Sequence, residues 1–143
     1  MDVTVMSEAE QLVWQFFNMG RLVAAMSFIG SIIAIWLAMR VANMTRESSE
    51  SNVVSKLFSS AFGLLVLFGT FNAMTIGRNN WTNTAGFLSD GGVDNCSNPE
   101  FCQGFIDFVG TTGQVYTPSL AGMAFLLVVA AMILSLIWGP KTN

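Results

Sequence analysis

The sequence predicts an all-α membrane protein in which three transmembrane helices carry a roughly 40-residue outer loop containing a short amphipathic helix. Two observations predict this class. Hydrophobic residues make up 52% of the 143-residue chain and charged residues only 10%, whereas a soluble domain carries about 25% charged residues. The apolar residues are also concentrated: Leu22 to Met39 is an uncharged run of 18 residues, Leu57 to Gly77 is one of 21, and a third lies within the uncharged stretch from Phe108 to Pro140. About 20 residues at a rise of 1.5 Å cross the ~30 Å hydrocarbon layer, so each stretch suffices.

The first helix is expected over residues 8–44. Ser7 and Glu10 have capping-box spacing, in which each side chain satisfies a backbone amide of the other. No Pro interrupts the stretch before Met44, and a helix of this length exceeds the bilayer thickness, so its first turns are expected outside the membrane. Asp2, Glu8 and Glu10 make the leading segment acidic where a cleaved signal peptide is basic, which points to a retained span.

Residues 45–52 form a polar loop, too short for a domain and too mixed in charge to bind nucleic acid. The second span is expected over 53–77, with Lys56 and Arg78 extending towards the headgroups. The third is expected over 118–138, capped by Thr117 with Pro118 at the first helical position, and stopped by Gly139-Pro140.

Basic residues set the orientation. Arg40, Arg46, Lys56 and Lys141 fall on one side, and only Arg21 and Arg78 on the other. The richer side is normally cytoplasmic, so the N-terminus and the 78–117 loop are expected to be extracytoplasmic and the C-terminus cytoplasmic, in a plasma or inner membrane. The acids Asp2, Glu8, Glu10, Asp90, Asp94, Glu100 and Asp107 agree in sign. Trp14, Trp81 and Tyr116 near the outer boundary, with Trp36 and Trp138 near the inner one, fit the interfacial preference of these rings.

The outer loop begins with a stretch rich in Asn, Thr, Gly and Asp, a composition that predicts turns and little regular structure over 78–92. Cys96 and Cys102, the only cysteines, lie on the side expected to be oxidising, and their spacing predicts a small disulfide ring. A metal site there would have to draw on Asp94, Glu100, Asp107 or a partner's ligands, since the chain has no His, and no metal is predicted. Phe101, Phe105 and Phe108 recur at helical spacing and define the amphipathic helix, lying on the membrane surface, on a partner or on the chain's own helices. The patterns Asn43-Met44-Thr45, Asn80-Trp81-Thr82 and Asn95-Cys96-Ser97 match glycosylation acceptors but are common by chance in an Asn-rich chain.

Within the spans, chemistry is sparse. Their central segments hold no Asp, Glu, Lys, Arg or His, which argues against a proton path, haem or copper centre built from this chain alone. The methionines read as packing rather than as ligands. Gly20, Ala24, Ser27, Ser31, Ala34 and Ala38 follow one another at intervals of 4, 3, 4, 3 and 4, laying a seam of small side chains down one face of span one. Leu22, Phe28, Ile32, Ile35, Trp36 and Met39 are expected opposite it. Gly69 and Ala73 form a similar pair in span two, and Asn72 is the most polar residue expected to be buried there. Small seams permit the close backbone approach through which helices associate in lipid. Arg21 is expected to reach up to the headgroups or to pair with an acid such as Asp107.

These features predict a non-catalytic accessory or structural subunit of a multi-subunit membrane complex. Its partners would be other integral membrane subunits or copies of itself, with bound lipids and no other cofactor. The alternative is a small homo-oligomeric channel or transporter with Asn72, Thr70, Ser31 and Ser27 lining a shared path. No nucleotide or nucleophile motif supports an autonomous enzyme.

Overall fold

A computed structural model describes residues 6–140, so Asp2 and Lys141 of the charge comparison lie outside the described residues. The described secondary structure is entirely helical: α1 (Glu8–Glu47), α2 (Val53–Asp90), a single 3-10 turn (Val93–Asn95), α3 (Pro99–Val109) and α4 (Leu120–Trp138). Three of these, α1, α2 and α4, are long and apolar enough to cross a membrane.

The helix ends show how local chemistry sets the boundaries. At the start of α1, Ser7 Oγ accepts from the Glu10 backbone N–H at 3.1 Å, which is half of the predicted capping box. The other half is absent, because the Glu10 carboxylate is engaged elsewhere. Past Met44, Thr45 donates to the Val41 carbonyl and α1 continues to Glu47. Asn52 and Ser55 cap α2 reciprocally: each backbone N–H donates to the other's side-chain oxygen at 3.0 Å.

The largest departure from expectation is at 78–92, where α2 runs on as helix to Asp90. Thr82 and Thr84 return their hydroxyls to the carbonyls of Asn79 and Asn80 and so stay compatible with helix. Trp81, Ala85 and Leu88 recur at helical spacing, with Ala85 and Leu88 buried. Gly91 and Gly92 then stop the helix, Gly92 at a φ of 79° that disfavours a larger residue. At α4 the cap is Ser119, whose hydroxyl accepts from Gly122 N–H, so Pro118 precedes the helix instead of opening it.

The chain divides into two compact units. Among the described residues one, the disulfide unit, comprises 6–25 together with Thr75–Tyr116; the other, the apolar unit, comprises Met26–Met74 and 117–140. In the apolar unit, α1, α2 and α4 meet around Ile35, Ala38, Ala42, Val129, Ile133 and Ile137, with Phe62, Val66 and Leu67 packed against them. Gly63 admits Ile133 at close range: a Cβ there would sit 2.8 Å from the Ile133 Cγ2. At one end of this unit, Trp138 donates its indole N–H to Ser60 Oγ at 3.1 Å while Lys56 lies 5.3 Å from its ring centroid. Arg46 donates to the Pro140 carbonyl at 2.8 Å.

Candidate functional site

The disulfide unit holds the most elaborate side-chain arrangement. Cys96 and Cys102 form a disulfide with Cα atoms 6.6 Å apart. Within the ring they close, Asn98 Oδ1 accepts from Phe101 N–H at 3.1 Å and Pro99 occupies the first turn, so the ring itself starts α3. Gly110 ends α3 in the left-handed conformation at φ 73°.

Glu10 ties this ring to α1. Its carboxylate, 8% exposed, accepts the Ser97 backbone N–H at 3.0 Å and the Ser97 hydroxyl at 2.9 Å. Hydrogen bonds to a charged acceptor offset the cost of burying it. Candidate ligand atoms of Glu10, Cys96 and Cys102 lie within 4.8 Å of one another. Because the two sulfurs are bonded to each other, the trio offers no thiolate to a metal. The sequence offered Asp94, Glu100 and Asp107 as the acids near the cysteines; the structure places Glu10 there instead, from the far end of the chain.

The same unit as this Glu10–Ser97 latch holds an aromatic cluster. Phe105 meets Trp14 and Phe17 edge-on, at 5.3 Å in each case, and stacks on Trp81 at 5.8 Å with 10° between the planes. Phe17 meets Trp81 edge-on at 4.9 Å. Such pairs each contribute about 0.5–1.5 kcal/mol beyond area burial. Phe101 and Phe108 touch the cluster only at its margins, against Trp14 and Trp81 respectively, and stay 58% and 78% exposed. Of the predicted stripe, then, Phe105 packs on the chain's own helices while Phe101 and Phe108 flank an open groove with Asn98, Glu100 and Gly104. Arg21 lies 5.8 Å from the Phe17 ring centroid and 5.5 Å from that of Trp81, a cation–π arrangement not among the sequence-based alternatives of headgroups, Asp107 or an acid on a partner.

Polar cross-links complete this unit. Asn80 donates to the Phe17 carbonyl at 3.0 Å, and a Cβ on Gly20 would overlap that amide. Asn79 pairs with the backbone of Val115 in both directions, donating to its carbonyl at 2.7 Å and accepting its N–H at 2.8 Å.

Along α1 the predicted small seam is the covered side: Gly20, Ala24, Ser27, Ser31 and Ala34 are partly buried and Ala38 is 1% exposed. Ile35 and Met39, expected on the opposite face, belong instead to the packed side; Ile35 is 4% exposed and Met39 lies against the core. Leu22, Phe28, Ile32 and Trp36 are exposed as expected.

In α2 the expectations need correction. Gly69 is exposed and a Cβ there would meet nothing within 4 Å, whereas Ala73 is partly covered. Asn72 is exposed, not buried, and donates to the Phe68 carbonyl of its own helix at 2.9 Å. Near it the buried polar side chain is that of Thr70, 2% exposed, whose hydroxyl returns to Val66; Ser59, Thr82 and Thr84 are the other buried polar residues described in α2. Thr70 and Asn72 therefore do not share a face. Comparison of the chain with protein-family models, with curated proteins and with solved structures gives no match.

Proposed function

We propose that this chain is a non-catalytic accessory or structural subunit of a multi-subunit membrane complex. It crosses the bilayer three times through α1, α2 and α4, with its N-terminus and disulfide unit extracytoplasmic and its C-terminus cytoplasmic. Lipids and the helices of neighbouring subunits cover the faces that the chain leaves open, and the disulfide unit braces the outer surface of the assembly.

The observation that carries this reading is how little of the apolar surface the chain covers by itself. Within the most apolar window of each long helix, only 11% of α1 and 22% of α2 and of α4 is buried. Large side chains such as Leu22, Met26, Phe58, Leu65, Phe68 and Leu127 stand open. A chain of this kind needs an apolar environment, and helices meet one another there by close packing and polar contacts. The disulfide unit supports a bracing role, because Glu10, Ser97, Asn79 and Asn80 are spent on internal cross-links.

The pore alternative gains no support of its own, since Thr70 is turned into the chain while Asn72 is turned out. Native mass spectrometry of the particle extracted from its own membrane in mild detergent tests the proposal. Unrelated chains at fixed stoichiometry are the expected result. A particle built of this chain alone would overturn it.

A further inference from the structure

We propose that the open face of α2 that carries Phe58, Leu65 and Asn72 pairs with the same face of a second copy of this chain, through a hydrogen bond between the two Asn72 amides. The inference rests on α2 being a membrane-crossing helix.

The face is defined by spacing and by exposure. Phe58, Leu65 and Asn72 follow one another at intervals of seven, with Ala61 and Phe68 interleaved at three and four, which is the pattern of a left-handed helix–helix seam. All five are exposed, at 72% for Phe58, 69% for Leu65 and 66% for Phe68. The residues that α2 turns inward, among them Ser59, Gly63 and Thr70, lie between them in sequence and on another side of the helix. The stripe therefore lies on a side of this segment that the chain leaves open, flanked by the exposed Leu57, Leu64 and Gly69.

Asn72 says what covers it. A side-chain amide carries two N–H donors and a carbonyl with two lone pairs. Within the chain it makes one hydrogen bond, from Nδ2 to the Phe68 carbonyl, and among the described residues none reaches Oδ1. On a wetted helix, water would complete the set. Lipid tails cannot, so a membrane-crossing helix that presents this amide requires a polar partner. A second copy supplies one by necessity. Identical chains insert with identical orientation, so the two Asn72 side chains lie at the same depth, and an amide that both donates and accepts satisfies its own image across a two-fold axis. One Asn in an otherwise apolar seam also fixes register, since sliding either helix separates the amides. Gly69, one turn away with nothing within 4 Å of where a Cβ would stand, leaves room for the neighbouring backbone.

The test uses the full chain reconstituted in phosphatidylcholine bilayers, with separate donor- and acceptor-labelled pools. Oriented circular dichroism first establishes whether the long helices cross the bilayer. Helices lying flat would remove the membrane-crossing reading and this pairing with it. With crossing established, wild type should show energy transfer above that of random mixing, and Asn72→Leu should associate about tenfold more weakly. Asn72 is exposed and, among the described residues, its hydrogen bond is to its own helix, so the substitution is expected to leave the fold intact, which unchanged helicity and thermal unfolding would confirm. Random-mixing transfer in wild type, or equal association of Asn72→Leu, would overturn the pairing while leaving the span assignment standing. In native membranes a Leu65→Cys chain should cross-link to itself; cross-linking to a different chain would overturn the second copy as occupant.

Discussion

The carboxylate of Glu10 accepts both the backbone N–H and the hydroxyl of Ser97, two residues 87 positions apart. Ser97 lies inside the Cys96–Cys102 ring, so this single carboxylate joins the first turn of α1 to the element that starts α3. Removing it leaves the Ser97 groups without their acceptor. Glu10→Ala is expected to cost about 2–3 kcal/mol, and Ser97→Ala, which keeps the backbone bond, about 1–2 kcal/mol. Hydrogen exchange over residues 96–109 should rise in both, more in Glu10→Ala. Equal, unchanged protection would show that the latch contributes nothing.

The disulfide acts on the same segment by a different route. Six positions separate its cysteines, and so short a closed loop restricts the unfolded chain by only about 2–3 kcal/mol. Replacing both cysteines with serine should therefore loosen α3 locally and leave the helicity of α1, α2 and α4 in place. Circular dichroism alongside site-resolved exchange checks this; collapse of total helicity would mean that the ring matters to the whole chain. Without reductant, neither cysteine should react with an alkylating agent.

Gly20 and Asn80 show where small-residue spacing was informative and where composition misled. The 4-3-4-3-4 seam on α1 falls on partly buried and buried positions, and at Gly20 the reason is specific: the missing side chain makes space for the Asn80 amide to reach the Phe17 carbonyl. That partner was hidden, because Asn79, Asn80, Thr82 and Thr84 resemble a turn-forming stretch when read along the chain. In the fold their polar groups are spent on Phe17, Val115 and their own helix, which lets α2 continue. The spacing of Trp81, Ala85 and Leu88, ended by Gly91-Gly92, was the signal for that extension. Nothing local in the sequence pairs Glu10 with Ser97, nor could periodicity show that Asn72 lies outside the chain's own packing, since an amide at helical spacing is equally compatible with either side.

Gly20→Ala should displace the Asn80 amide and cost about 1–2 kcal/mol, the scale of a lost, partly buried hydrogen bond. The cost should shrink when Asn80 is already Ala, giving a coupling energy of at least about 0.5 kcal/mol in a double-mutant cycle. Additive effects would mean that Gly20 serves some contact other than Asn80.

Gly63 and Gly69 of α2 provide an internal control, because only Gly63 faces the chain's own core. A Cβ at Gly63 would come within 2.8 Å of Ile133 Cγ2, while one at Gly69 would meet nothing within 4 Å. Ile133 is 2% exposed and at the centre of the apolar unit, so it has little room to retreat. Gly63→Val is therefore an overpacking substitution, expected to destabilise by about 1–3 kcal/mol, and Ile133→Ala, which removes the Cγ2 it would meet, should cost less in the Gly63→Val background than in the wild type. Gly69→Val should leave the isolated chain's thermal unfolding close to wild type. Unfolding of these variants in the same detergent decides the matter, and a Gly69 variant as damaged as the Gly63 one would mean that α2 is packed with a different face inward.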